Sequence, residues 1–251
     1  KFGVFACQGG PGAENSYGGI AQAFADSVPI MFIPDGIPLI NSDVSPSFIS
    51  SKNFTDITKW SKSINDSNRI VPLMKRAFHS LKNGRPSPVL IEMHRDHMTQ
   101  EVSNFKQYNS PHQSKFFPTD YFIDSSVKLL VESENPIIWS GQGVLYSSAT
   151  DELKELSSLL SLPVITTMPG KSSFDERNPL SLGSANRTAP KTVWKYLGIS
   201  DTVFAIGSSL TITNYGITIP EGKKIIHSTN NYEDINKDYD VEIPLLGDSK
   251  L

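Results

Sequence analysis

A chain of 251 residues with 38% hydrophobic and 20% charged residues has the composition of a globular protein, with length for one large domain or two modest ones. Its net charge of −3, with both signs interspersed, gives no electrostatic footprint for nucleic acid or an anionic membrane, so neither is an expected partner. The single cysteine, Cys7, excludes an internal disulfide and is typical of a reducing compartment, so we expect a cytoplasmic protein.

Apolar runs of strand length recur along the chain and lack the in/out alternation of a half-exposed strand, as in a parallel sheet covered on both faces. In chain order these predicted strands are Phe2–Ala6, Ile30–Pro34, Pro88–Met93, Pro136–Ser140, Pro163–Thr167, Thr202–Ile206 and Lys223–His227. Segments of helical period lie between them. The predicted helices are Ala13–Ala25, Pro72–Lys82, Tyr121–Glu132 and the stretch from Asp151, its predicted N-cap, to Leu160. This alternation predicts an α/β fold with right-handed crossovers.

The first helix carries one apolar stripe that we expect to face the core. Its members recur at helical spacing and are Ala13, Tyr17, Ala21 and Phe24.

The strand–helix pattern lapses between His97 and Thr119, where the sequence is polar and contains two prolines. We interpret residues 101–118 as a linker between two parallel-sheet, three-layer α/β units, residues 1–100 and 119–251. An apolar strand lies at each end of the chain, so we expect a fragment of a longer protein.

The turn CQGGPG, from Cys7 to Gly12, is the strongest candidate site. Its glycines remove side-chain bulk where a strand becomes a helix, and Pro11 fixes one backbone angle. The first helical N–H groups point above such a turn, where an anion is the usual ligand, but Glu14 adds a negative charge there. From the turn alone, two interpretations stay open: a ligand site, or a tight turn in which Glu14 complements the helix dipole.

Two other glycine-containing segments are weaker candidates. SGQGVL (Ser140–Leu145) has Tyr146 where a dinucleotide fingerprint needs its third glycine, so we interpret it as a small-residue turn. PGKSS (Pro169–Ser173) resembles the end of a phosphate loop, but Ile165 occupies the position of the required first glycine.

His94 and His97 have the spacing of metal ligands on a helix, but they follow a strand and no third ligand is evident nearby. We therefore predict two solvent-facing histidines and no metal site.

Several segments, read in order, carry a family resemblance. GGPGAENSYGGIAQAFADSVPIMFIPDG, followed by FTDITKWS and RAFHSLKNGRPSPVLIEMHRD, is similar to the pyrimidine-binding domain of thiamine diphosphate-dependent enzymes of the acetolactate synthase type. PIIWSGQGVL, ELKELSSLLSLPVITTMPGKSSFDERNPLSLG, DTVFAIGSSLT and KKIIHSTNNYEDINKDYDVEIPLLGDSKL are similar to their central domain. The resemblance covers essentially the whole chain. It implies an N-terminally truncated pyrimidine-binding domain followed by a Rossmann-like central domain.

The resemblance implies that Gly10, Pro11 and Gly12 lie against the aminopyrimidine ring of thiamine diphosphate, with Asn15 as a polar contact. It implies carboligation or decarboxylation of a 2-oxo acid in a homodimer or homotetramer. In the family, a glutamate upstream of the turn and a downstream Gly-Asp-Gly…Asn motif, which holds Mg²⁺ and the diphosphate, complete the site. Neither lies in this sequence, so we expect no catalytic or metal-binding residue in this chain, and no activity from it alone.

Departures from the family pattern concern the substrate and a second cofactor. Ile37 stands where acetolactate synthases often have a glutamine, and Arg95 lies in a run, His94–Asp96, that replaces proline-lysine-aspartate. The resemblance implies that Ile37 and Arg95 lie near the substrate channel. The text SANRT after PLSLG lacks the glycines and histidines typical of flavin-binding members, which argues against bound FAD.

Two alternatives of other classes stay open. The second unit could be a noncatalytic nucleotide-binding or regulatory module that uses the crevice near Gly141–Leu145 and Gly207–Leu210, outside the carboxyl ends of parallel strands. It could also serve only in packing and subunit contacts.

Overall fold

The computed structural model describes residues 2–103, 107–109 and 115–251. These residues divide into two compact units, unit 1 (residues 1–114) and unit 2 (residues 115–251). Each unit is built on a parallel sheet with helices, so the predicted α/β fold class is confirmed. The predicted linker falls partly on residues 104–106 and 110–114, outside the described residues, and its boundaries stay predictions.

Unit 1 has one sheet with the strand order β1-β2-β4-β3, and every neighbouring pair is parallel. Its elements are β1 (Gly3–Cys7), α1 (Pro11–Ala25), β2 (Ile30–Gly36), α2 (Ser50–Asn53), β3 (Trp60–Ile64), α3 (Ile70–Lys82) and β4 (Val89–His94). Short 3₁₀ helices lie at Leu39–Asn41, Thr55–Ile57, Ser67–Arg69 and Arg95–His97. Because the strands are parallel, their carboxyl ends meet at one edge of the sheet, above which α/β proteins bind ligands.

The sheet of unit 1 separates two small cores, since successive side chains of a strand point to opposite faces. The core that includes α3 contains Met31, Ile64, Ala77, Leu81, Val89 and Ile91. The core that includes α1 contains Ala13, Ile20, Phe32, Phe54 and Leu90. The central strands β2 and β4 therefore contribute apolar side chains to both cores, as their sequences predict.

The first strand differs from its prediction. Val4 and Phe5 of β1 are 61% and 42% exposed, because β1 is the edge of the sheet and helices do not cover it on both faces. An apolar sequence predicts a strand, but it does not tell an edge strand from a central one.

The predicted core stripe of α1 is also wrong in part. Ala13 is buried as expected, but Ile20 and Ala23 join it in the core, whereas Tyr17 and Phe24 are each 41% exposed. Both stripes begin at Ala13 and have helical spacing, so the period alone does not choose between them. The position of the neighbouring strands decides which one is covered.

Unit 2 has a sheet with the order β10-β9-β8-β5-β6-β7, again parallel throughout. Its elements are α4 (Asp120–Glu132), β5 (Pro136–Ser140), α5 (Gln142–Ser147), α6 (Thr150–Leu160), β6 (Val164–Thr167), β7 (Ser181–Ala185), α7 (Lys191–Ile199), β8 (Thr202–Ile206), β9 (Lys224–Thr229), a 3₁₀ helix at Tyr232–Asp234 and β10 (Ile243–Leu246). The first strand of this sheet in the chain, β5, lies at its centre. The strands β6 and β7 are added on one side of it, and β8, β9 and β10 on the other, which is the doubly wound Rossmann order.

Two cores flank this sheet as well. One contains residues of α4, α5 and α6, among them Leu130, Val144, Leu153, Ile138, Phe204 and Ile226. The other contains residues of α7, among them Val193, Leu197, Ile137, Val203 and Ile225.

Several details of the predicted elements need correction. The N-cap of α6 is Ala149, so Asp151 lies inside the first turn, where its charge complements the helix dipole instead of capping an N–H group. Two strands lie outside the predicted set: β3, because WSKSI has three consecutive polar residues, and β7, because SLGSA consists mostly of small residues. The helices α5 and α7 lie outside it as well.

The loops that follow β5 and β8 touch each other through their backbones. The N–H groups of Gly141 and Gly143 donate to the carbonyl oxygens of Ile206 and Gly207, each over 2.8 Å. A Cβ on Gly141 would lie 2.3 Å from the Gly207 oxygen, and a Cβ on Gly207 would lie 2.6 Å from the Val144 nitrogen. Only a residue without a Cβ can come this close, so glycine at these positions allows the segments after β5 and β8 to bond to each other.

We expect Gly207→Ala to destabilise unit 2 by more than about 3 kcal/mol, because it adds a backbone clash to an unfavourable positive φ. Gly222→Ala is the matched control: Gly222 also has positive φ, but a Cβ there meets nothing within 4 Å, so its cost should be about 1 kcal/mol. Urea unfolding followed by circular dichroism measures both. Equal losses would show that the contact between the loops contributes nothing.

Candidate functional site

The turn between β1 and α1 lies at the carboxyl edge of the unit 1 sheet. Gly10 is the N-cap of α1, with φ 60° and ψ −117°, and no side chain caps the helix. Such a conformation is available to glycine and unfavourable for residues with a Cβ. A Cβ on Gly10 would meet nothing within 4 Å, so the space beside the turn is open.

The other predicted residues of the turn surround this open space. Pro11 is the first residue of α1 and is exposed. A Cβ on Gly12 would lie 3.3 Å from Cβ of Gln8, against the end of β1. Asn15, one helical turn further on, is exposed, and its side chain makes no hydrogen bond with the described residues. The protein's own side chains therefore leave the surface of this turn uncovered within unit 1.

Asp35, at the carboxyl end of β2, joins this turn to the adjacent strand. Its Oδ1 accepts a hydrogen bond from the Gly9 N–H (3.0 Å), and its Oδ2 accepts one from Nε of Arg95 (3.0 Å). A Cβ on Gly9 would lie 2.3 Å from the Asp35 carbonyl oxygen. The structure thus brings Arg95 beside the turn through Asp35, which is not among the predicted site residues. Its position, directly after an apolar strand and before Gly36, is the signal that could have identified it.

Ile37 lies at the same edge and is held by its backbone. Its carbonyl oxygen accepts a hydrogen bond from Nδ1 of His94 over 2.6 Å. His94 and His97 are each only 6% exposed, so the prediction of two solvent-facing histidines is wrong. His94 ends the central strand β4, and the segment after β2 covers it. Among the residues described, no group of three or more histidine, cysteine, aspartate or glutamate side chains is arranged to hold a metal ion.

A buried carboxylate fastens that covering segment to the sheet. Glu92 of β4 is 1% exposed and accepts hydrogen bonds from the Ser50 and Ser51 N–H groups (3.0 and 3.1 Å) and the Ser63 hydroxyl (2.9 Å). Three donors satisfy the charge, which makes its burial tolerable. Glu92 is not among the predicted site residues, although a lone glutamate inside the apolar run VLIEM is a signal that points to it.

Cys7, the last residue of β1, lies beside the same turn. Burial, and secondarily the nearby Asp35 carboxylate, raise the pKa of its thiol, while a hydrogen bond with Ser16 partly offsets this. The thiol is therefore protonated at neutral pH, and it adds no charge to the turn.

In unit 2, the two segments proposed to line a nucleotide crevice contact each other. Gly141 and Gly143, at the start of α5, touch Gly207 through backbone atoms. The Gly143 N–H, near the start of α5, donates to the Gly207 carbonyl and does not point at a ligand. This geometry supports the interpretation of SGQGVL as a small-residue turn.

His227 of β9 is a fully buried histidine in the same unit. Its Nε2 donates to the Ser208 carbonyl oxygen over 2.8 Å, and Nδ1 has no hydrogen-bond partner among the described residues. Burial lowers the pKa of the imidazole below its ordinary value of 6.5, and the bond to Ser208 only partly opposes this.

Comparison with known proteins identifies the family. The family described as "Thiamine pyrophosphate enzyme, central domain" matches residues 123–251, about half of the chain. The chain belongs to the thiamine pyrophosphate enzyme family. Thiamine pyrophosphate is another name for thiamine diphosphate, so the predicted family is confirmed.

Relatives of this thiamine pyrophosphate enzyme chain match along its whole length. It is 32% identical over 262 residues to a probable acetolactate synthase large subunit of Methanococcus aeolicus, covering 100% of this chain and 44% of the relative. It is 33% identical to the corresponding protein of Methanocaldococcus jannaschii, covering 99% of this chain and 44% of the relative. The chain therefore spans less than half the length of these relatives.

A solved structure supports the fold. A protein from Mycobacterium smegmatis, described as a thiamin diphosphate-dependent enzyme, superposes with a TM-score of 0.81 at 19% identity, covering 98% of this chain and 48% of that one. Within the part of the chain that the structure describes, no helix combines the length and apolar character needed to cross a membrane.

We expect His227 to make the stability of unit 2 depend on pH. Because its pKa is lower in the folded state, the unfolded chain binds the proton more tightly, and stability should be constant above about pH 7 and fall as the pH drops through about 6.5. His227→Gln should reduce this loss, measured as the unfolding free energy at about pH 7.5 and about pH 5.5. The exposed His79→Gln is the control; an equal pH dependence in all three proteins would contradict the expectation.

Proposed function

We propose that the turn Gly10–Gly12 binds the aminopyrimidine ring of thiamine diphosphate, with Asn15 as a polar contact. The observation that carries this proposal is the uncovered surface at Gly10 and Pro11, at the carboxyl edge of a parallel sheet: a Cβ on Gly10 would meet nothing within 4 Å, and Pro11 is exposed. Pro11 offers a rigid apolar surface to a flat ring, and the uncovered Asn15 amide can donate and accept hydrogen bonds. Membership of the thiamine pyrophosphate enzyme family supports the choice of ligand.

The charges around the turn favour a neutral ring over a phosphate. Glu14 lies in the first turn of α1, and the Asp35 carboxylate lies 3.0 Å from the Gly9 nitrogen. Both would repel an anion at this helix N-terminus, and the exposed Arg95 offsets only part of that charge. We therefore propose that the diphosphate and its Mg²⁺ are held by segments outside this chain.

The whole protein, in our proposal, acts on a 2-oxo acid, as the names of its acetolactate synthase relatives suggest. When bound, thiamine diphosphate supplies carbanion chemistry next to a carbonyl, and the protein binds and orients the reactants. Ile37 and Arg95, at the same edge as the turn, would line the approach of the substrate. We propose a homodimer or homotetramer in the cytoplasm, with a central domain that carries no FAD.

We expect Pro11→Gly and Asn15→Ala each to weaken thiamine diphosphate binding by the full-length protein about tenfold, since one loses a rigid apolar surface and the other a polar contact. Isothermal titration calorimetry with Mg²⁺ present measures the affinity. Gly19→Ala is the matched control in the same helix, because a Cβ there meets nothing within 4 Å. Unchanged affinity in both test variants would rule out the turn as the ring site.

We expect residues 1–251 alone to show no turnover of pyruvate with thiamine diphosphate and Mg²⁺, because we propose that the chain carries only part of the cofactor site. The full-length protein is the positive control in the same coupled assay. Turnover by the isolated chain would show that its own residues complete the site.

A further inference from the structure

The cofactor-facing turn lacks the side-chain cap that usually holds a helix start. Gly10, the N-cap, has no side chain, Pro11 has no N–H, and no side chain makes a capping hydrogen bond to the start of α1. Among the described residues, Asp35 is the side chain that bonds the backbone of Gly9–Gly12. The anchor of the turn therefore comes from the neighbouring strand.

We propose that Asp35 is the positioning residue of this turn: its carboxylate clamps the Gly9 N–H and thereby holds Gly10 and Pro11 where a heterocycle can rest on them. The proposal rests on the proposed function of the turn. The proposal adds to that function a residue that acts through the turn and not by touching the cofactor.

The geometry supports a clamp more than a surface ion pair. The Asp35 side chain is 19% exposed, whereas its partner Arg95 is 59% exposed, so water screens the pair with Arg95. The bond to Gly9 is shielded by the contact beneath it, where Gly9 lies directly on the Asp35 backbone. The Gly9–Asp35 bond is thus the part of the arrangement that fixes position.

The experiment measures the dissociation constant for thiamine diphosphate, with Mg²⁺, in the full-length protein by calorimetry. Asp35→Ala removes the acceptor and should weaken binding about tenfold. Asp35→Asn keeps an acceptor oxygen for Gly9 while losing the charge, so its affinity should stay within about twofold of the wild type. Asp26→Ala, which removes an exposed carboxylate at the other end of α1, is the matched control and should bind normally.

The results with these variants distinguish failure of the Asp35 clamp from failure of the proposed ring site. If the wild type binds and Pro11→Gly weakens binding but Asp35→Ala does not, the clamp is refuted and the ring site stands. If Asp35→Asn binds thiamine diphosphate as weakly as Asp35→Ala, the charge of the carboxylate matters and the bond to Gly9 does not. That result would also overturn the proposal. Failure of the wild type to bind would overturn both.

A second variant covers the case in which Asp35→Ala does not fold. Asp35→Glu keeps the charge but moves the carboxylate by one methylene group, away from the Gly9 N–H. We expect it to bind about tenfold more weakly as well. Wild-type affinity in Asp35→Glu would overturn the clamp.

Discussion

The contact between Gly9 and Asp35 is the interaction on which the candidate site depends. A parallel sheet brings the ends of β1 and β2 to one edge, but it leaves the following turn free to move. The hydrogen bond of 3.0 Å between the Gly9 N–H and Asp35 ties that turn to β2, and β2 is itself central in the sheet. The open surface at Gly10 and Pro11 therefore has a rigid support.

In both units, glycine backbone packs against the end of a neighbouring strand, but what lies beside the glycines differs. In unit 1, Gly9 packs on Asp35 while Gly10 faces open space. In unit 2, Gly141 and Gly207 pack on each other and join the segments that follow β5 and β8. A glycine-rich segment after a strand thus indicates close backbone approach, and what it approaches can be either a ligand or the protein itself.

Buried polar groups explain how the covering segments of unit 1 stay in place. Glu92 binds the start of α2 through two N–H groups, and His94 binds the Ile37 carbonyl. These groups sit on the central strand β4, where burial makes each bond strong and makes its loss costly. They hold α2 and Ile37 against the sheet without themselves being part of the proposed ring site.

The sequence by itself determined the α/β class, most strands and the longer helices, since these depend on local apolar period and on turn residues. It also determined the turn Gly10–Gly12 as the main candidate, because glycine permits unusual backbone angles and proline fixes φ wherever they occur. Only the tertiary structure decided that β1 is an edge strand, which face of α1 is buried, that Asp35 bonds the turn at Gly9, and that Glu92 and His94 bond the segments that follow β2. Those outcomes depend on partners many residues away, and a local pattern contains no information about which distant groups a side chain will meet.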